Sequence, residues 1–132
     1  MGSGMDLLTR ASNDTARMDN HEVVAYLLAR LGRTLTAYIA NTRSRSMPKR
    51  WATPPHEDGH ASPADDKATR LKAAHAVFRM IEDSDNDQVA RSWLISANPR
   101  LDGHTPAEYI RDGKIPAVYR AASAFVDDTY YA

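Results

Sequence analysis

Five residues, His56-Glu57-Asp58-Gly59-His60, spell the pattern His-Glu-x-x-His, in which two histidines hold zinc and the glutamate serves a metal-bound water. That chemistry needs a helix, because only there do residues four apart share a face. Here the stretch follows Pro54-Pro55, contains Gly59 and runs on to Pro63, so it is expected to be a loop without a catalytic metal. A second stretch, Asp83-Ser84-Asp85-Asn86-Asp87, matches the opening of a calcium loop. Its sixth position is Gln88 where the loop needs glycine, and its twelfth is Leu94 where it needs a bidentate glutamate. These residues are instead expected to cap a helix starting near Asn86. No glycine-rich phosphate loop, Gly-x-Ser-x-Gly elbow or recognisable nucleophile arrangement is present. His75 falls on a mostly apolar helical face and reads as a satisfied, half-buried histidine, while His21 reads as exposed. No cofactor is expected, and the chain is not expected to be an enzyme.

Charge points elsewhere. Residues 1–51 hold eight Lys/Arg against four Asp/Glu, and residues 52–132 hold nine against thirteen, so a neutral chain is split into +4 and −4 parts. Between Glu22 and Glu57 there is no acid at all. Arg43, Arg45, Lys49 and Arg50 fall in that interval and suit a polyanion such as DNA. The absence of cysteine excludes disulfides and thiolate metal sites, and suits a reducing, cytoplasmic setting. No apolar run approaches the 18 or so residues of a membrane span.

The elements that must carry these residues read as helices throughout, six to eight of them, giving an all-α fold. Met1 to Gly4 reads as a tag remnant ahead of a start at Met5, and residues 1–18 as tag and loose arm. Asp19-x-x-Glu22 has capping-box spacing and opens a helix whose Val23, Val24, Leu27, Leu28 and Leu31 share a face, with Gly32 ending it. A short helix over Leu35 to Ala40, a turn at Asn41-Thr42 and a third helix after Ser46-Met47-Pro48 give helix-turn-helix spacing within residues 19–52. Trp51 is expected in the core. Residues 53–63, with three prolines, form a linker loop, and residues 64–132 a second helical domain. Its first helix is expected to be capped by Ser62 or Asp65, with Ala68, Leu71, Ala74, His75, Phe78 and Ile81 as its apolar stripe. Thr105-Pro106-Ala107-Glu108 reads as another capping box, and Pro116 opens the last helix.

The run from Trp93 to Tyr109 carries Trp93, then Asn98-Pro99-Arg100-Leu101-Asp102-Gly103-His104-Thr105-Pro106, then a short helix ending at Gly113. It resembles the C-terminal toxin-binding domain of Xre/MbcA/ParS-type antitoxins. Leu31-Gly32-Arg33-Thr34 and Arg50-Trp51 resemble the opening and close of the helix-turn-helix in the same family. The resemblance implies a homodimer that binds operator DNA and a C-terminal domain that caps the active site of a partner toxin. That toxin would be an NAD-consuming RES-domain enzyme or a related ADP-ribosylating enzyme. The family's inhibitory element is its extreme C-terminus, which maps here to the last helix and to residues Asp127–Ala132. The implied toxin-contact residues are Arg100, Asp127, Asp128, Tyr130 and Tyr131, with the two acids standing in for dinucleotide phosphates. A DNA-binding regulator without a toxin partner is the alternative.

Overall fold

The computed structural model describes residues 3–130; the side chain of Tyr130, together with Tyr131 and Ala132, lies outside the described residues. Among them every regular element is helical: α1 (Gly4–Ala16), α2 (Asn20–Ala40), α3 (Met47–Ala52), α4 (Asp65–Ser84), α5 (Asp87–Ile95), a 3-10 turn (Pro99–Leu101), α6 (Pro106–Arg111) and α7 (Ile115–Tyr130). The all-α expectation holds.

Residues 5–18 are not a loose arm. Ser3 caps α1 by accepting from the Asp6 amide, and Asp6 answers by accepting from Ser3, closing a capping box. Leu8, Ala11 and Thr15 lie three or four apart on one face and are buried against α4 and α7. The sequence hides this helix because only two of its buried residues, Leu8 and Ala11, are apolar with a side chain. Gly4 belongs to the fold as well: a Cβ there would collide with the Ser123 carbonyl oxygen of α7.

Asp19 opens α2 as its spacing predicts, with the Glu22 carboxylate accepting from the Asp19 amide at 3.0 Å. At Gly32 the backbone takes φ 80° and ψ 169°, a region open to glycine alone, so the helix breaks and resumes in a new direction. Asn41 then adopts the left-handed conformation that ends it. By length and composition α2 could cross a membrane, but it is broken at Gly32, and Val23, Val24, Leu27, Leu31 and Ile39 are buried in the protein core. Two cations satisfy carbonyls at its negative end. Lys67 of α4 donates to the Asn41 carbonyl at 2.8 Å, and Arg111 of α6 to that of Tyr38 at 2.8 Å.

α4 is the central helix, packing on α1, α2, α5, α6 and α7. Leu71, Val77, Phe78 and Ile81 on it are fully buried, each worth roughly 1.5–3 kcal/mol of transfer free energy. One apolar core runs from Leu8 through Leu27, Trp51 and Phe78 to Trp93, Ile110 and Val126. The helices before and after residues 53–63 therefore share a core. Neither Ser62 nor Asp65 caps α4; its N-cap position is Ala64, and the Ser62 hydroxyl bonds His60. Thr105 caps α6 as expected, but the Glu108 carboxylate turns to His104 at 3.0 Å instead of closing a box.

Candidate functional site

The basic set lies where the chain turns. The second limb of α2 ends at Asn41, residues 42–46 cross over, and α3 follows with Pro48 in its first turn, where a missing amide costs nothing. Pro48 and Trp51 point inward and are buried, leaving Arg43, Arg45, Lys49 and Arg50 exposed around the turn. Arg50 is partly committed. Its Nε donates to the Gly59 carbonyl at 3.1 Å, and the Ala61 amide returns a bond to the Arg50 carbonyl at 3.1 Å, so α3 holds the proline-rich loop.

That loop is irregular, as its prolines require. His60 bonds the Thr53 carbonyl through Nδ1 at 2.6 Å and Ser62 through Nε2, so both its ring nitrogens are occupied. The His56 side chain is 80 % exposed. The two histidines thus lack the helical frame of a zinc site, and His60 has no nitrogen free for a metal. Asp83 pairs with Arg79 at 3.1 Å, and Asn86 caps α5 by accepting from the Val89 amide, so the acidic run is used for helix ends. The described residues that could gather on a cation are Asp19, His21 and Glu22, at the start of α2, where the Glu22 carboxylate already serves the cap. His21 is half-buried there, not exposed.

The second surface is built on the stretch from Ser96 to Thr105. Asn98 organises it: its side chain accepts from the Arg100 amide, its carbonyl from Leu101 and Gly103, and its own amide donates to the His104 carbonyl. Asp102 and Gly103 both take positive φ to close the turn. Leu101 plugs into the core while Arg100 is held outward. Arg100 meets Asp128 of α7 at 3.3 Å, both well exposed. Beneath them Trp93 of α5 and Phe125 of α7 stand with ring centroids 6.2 Å apart.

The predicted toxin-contact residues thus divide. Arg100 and Asp128 come together. Asp127 points elsewhere: it accepts from the Gly4 amide at 2.6 Å, placing its charge on the positive end of α1. The acids near the end of α7 therefore find their compensation inside the chain and require no basic partner to explain them. Tyr131 and the Tyr130 side chain fall outside the described residues.

His75 departs most from expectation. It is completely buried, its Nδ1 lies 2.7 Å from the Thr15 hydroxyl, and its Nε2 has no partner. Burial, with help from the charges of Arg79 and Arg30, lowers its pKa to about 4. Tyr26 stands edge-on to it and bonds Glu82, which also accepts from Arg30 at 2.9 Å. Burial raises the Tyr26 phenol, and the bond to Glu82 adds to that. Burial would raise Glu82, but its bonds from Tyr26 and Arg30 outweigh that and leave it lowered. Sequence reading missed this network because its members lie on α1, α2 and α4, some 60 residues apart.

Residues 73–120 match the model of the antitoxin Xre/MbcA/ParS C-terminal toxin-binding domain. This segment is similar to the toxin-binding domain of that antitoxin family. No curated protein and no solved structure matches the chain. The matched segment begins inside α4 and ends inside α7, and it contains α5, the Asn98 turn with Arg100, and α6. The basic turn at residues 41–50 and the tail from Asp127 both lie outside the match.

Proposed function

We propose that this chain is an antitoxin that neutralises an NAD-consuming toxin of the RES type, or a related ADP-ribosylating enzyme, and has no enzymatic activity of its own. The observation that carries the reading is the toxin-binding-domain match over residues 73–120. A cleft that binds a dinucleotide is expected to be basic, and the −4 charge of residues 52–132 complements it. In this reading the end of α7 enters the toxin cleft and excludes substrate. Asp128, Tyr130 and Tyr131 make the contact, with Arg100 beside them. Asp127 anchors the helix that carries them.

The same chain binds operator DNA as a homodimer through Arg43, Arg45, Lys49 and Arg50. The exposed basic side chains around the turn between α2 and α3 support this. Residues at such a turn and at the start of the following helix reach bases and phosphates in helix-turn-helix proteins.

Co-expression with the toxin encoded beside this chain tests the first part: growth is restored, and persistent toxicity with both proteins well expressed refutes it. For the second part, Arg43→Ala/Arg45→Ala loses operator affinity while still neutralising toxin. Its salt slope falls by about one unit for each phosphate that the protein no longer neutralises. Unchanged operator binding would reduce the basic turn to a solvated surface.

A further inference from the structure

We infer that Lys67 and Arg111 are positioning residues for the basic turn: carried on α4 and α6, they neutralise the negative end of α2 and hold the turn in place for DNA. The inference rests on the DNA-binding reading of Arg43, Arg45, Lys49 and Arg50. The element that leads into this turn poses an electrostatic problem. A helix ends in carbonyls that lack helical partners, and it carries about half a negative charge there. Helix α2 ends at Ala40, directly before the turn that must approach a polyanion. Phosphates favour helix N-termini and are repelled by C-termini.

Local capping meets only part of the need. The Asn41 amide donates to the Tyr38 carbonyl and the Thr42 amide to that of Ala37, each at 3.0 Å, but neither brings a charge. The last turn of α2 has no basic residue of its own. The charge comes from distant parts of the chain. Lys67 Nζ donates to the Asn41 carbonyl at 2.8 Å across 26 residues, and Arg111 Nη1 donates to the Tyr38 carbonyl at 2.8 Å across 73. The Arg111 guanidinium also lies over the Tyr38 ring, 4.6 Å from its centroid. Helix α4 holds Arg111 in turn: Arg70 donates through Nε to the Arg111 carbonyl at 2.9 Å and through Nη1 to the Asp66 carbonyl at 2.8 Å. Lys67 and Arg111 are half-buried with donors turned to the backbone, while Arg43, Arg45 and Lys49 are exposed. Cations that fix the turn are thus separate from those placed to meet phosphates.

The test uses the full chain, a DNA duplex from the region upstream of its own gene, and a random-sequence duplex of equal length. Lys67→Met/Arg111→Met keeps much of both stems and removes both charges. Its affinity for the upstream duplex should fall about 10-fold, as the loss of two charges from one helix end implies. The helical spectrum should be retained, with faster amide exchange confined to residues near 41–46. The slope of log affinity against log salt should not change, because no phosphate contact is lost. Lys67→Met alone should lose about threefold, and it decides the matter where the double variant fails to fold. Lys67→Arg, which keeps the charge and a donor, should retain the affinity that Lys67→Met loses. Unchanged affinity in a folded Met variant overturns the inference, as does an equal loss in Lys67→Arg and Lys67→Met. A salt slope smaller by about one unit for each cation removed also overturns it, making Lys67 and Arg111 phosphate contacts themselves. If the unaltered chain binds the upstream duplex no more tightly than the random one, or Arg43→Ala/Arg45→Ala binds it as well, the DNA-binding reading itself fails, and this inference with it.

Discussion

His75 carries the largest single consequence for pH. Its folded pKa of about 4 lies below the ordinary 6.5, so between these values the unfolded chain binds more protons than the folded one. Stability is whole above about pH 6.5 and falls as pH drops toward 4, after which this contribution is spent. At pH 5 the loss is about 2 kcal/mol relative to pH 7. Denaturant unfolding at several pH values measures it. His75→Phe, which keeps the ring against Tyr26, should flatten the dependence over this range; an unchanged slope would place the effect elsewhere. The Thr15 hydroxyl already donates to the Ala11 carbonyl at 2.9 Å, so His75 donates from Nδ1 and leaves its Nε2 lone pair facing the core.

At the scale of elements, the break at Gly32 decides how the basic turn is presented. A continuous α2 would carry Asn41 off along its own axis; the break redirects the second limb so that Ile39 and Ala40 are buried. No atom outside the local chain lies within 4 Å of a Cβ built at Gly32. The cost of Gly32→Ala is therefore backbone strain, about 1–3 kcal/mol, rather than a clash. Thermal unfolding measures the loss, and hydrogen exchange should show it concentrated in residues 33–52. A neutral substitution would mean that the second limb tolerates a straight path. The Asn98 turn is the other element on which the site depends. Asn98→Ala removes the bond to the Arg100 amide and should cost about 1 kcal/mol. Because the turn also sets the direction of Arg100, toxin affinity should fall further than that loss alone accounts for. Calorimetric titration beside thermal melts would compare the two.

Across the whole molecule, the start of α1 meets the later turns of α7. Gly4 approaches Ser123 closely and its amide bonds Asp127, so the start of α1 is tied to α7. Two truncations distinguish structure from inhibition. Removing residues 128–132 keeps the Asp127 bond and should leave stability nearly unchanged while weakening toxin neutralisation. Removing residues 127–132 also frees the Gly4 amide and should destabilise the fold by about 1–3 kcal/mol, read as faster hydrogen exchange in α1. Equal stability of the two truncations would show that the α1–α7 contact stands on packing alone.

The sequence by itself determined the helical class, the stop at Gly32, the loop at residues 53–63 and the caps at Asp19, Asn86 and Thr105. These rest on interactions within a few residues, which composition and spacing encode directly. It also carried the toxin-binding resemblance, because Trp93, Asn98-Pro99 and Thr105-Pro106 are contiguous in the chain. Helix α1 escaped because its buried face includes Gly4 and Thr15, which carry no apolar signal. Only the tertiary structure decided that Asp127 accepts from the Gly4 amide at the start of α1, that Arg100 meets Asp128, and that His75 loses water on every side. Each depends on groups separated by 28 residues or more. Periodicity along one helix shows which face turns inward; what that face meets, and how dry the contact is, follows only from packing.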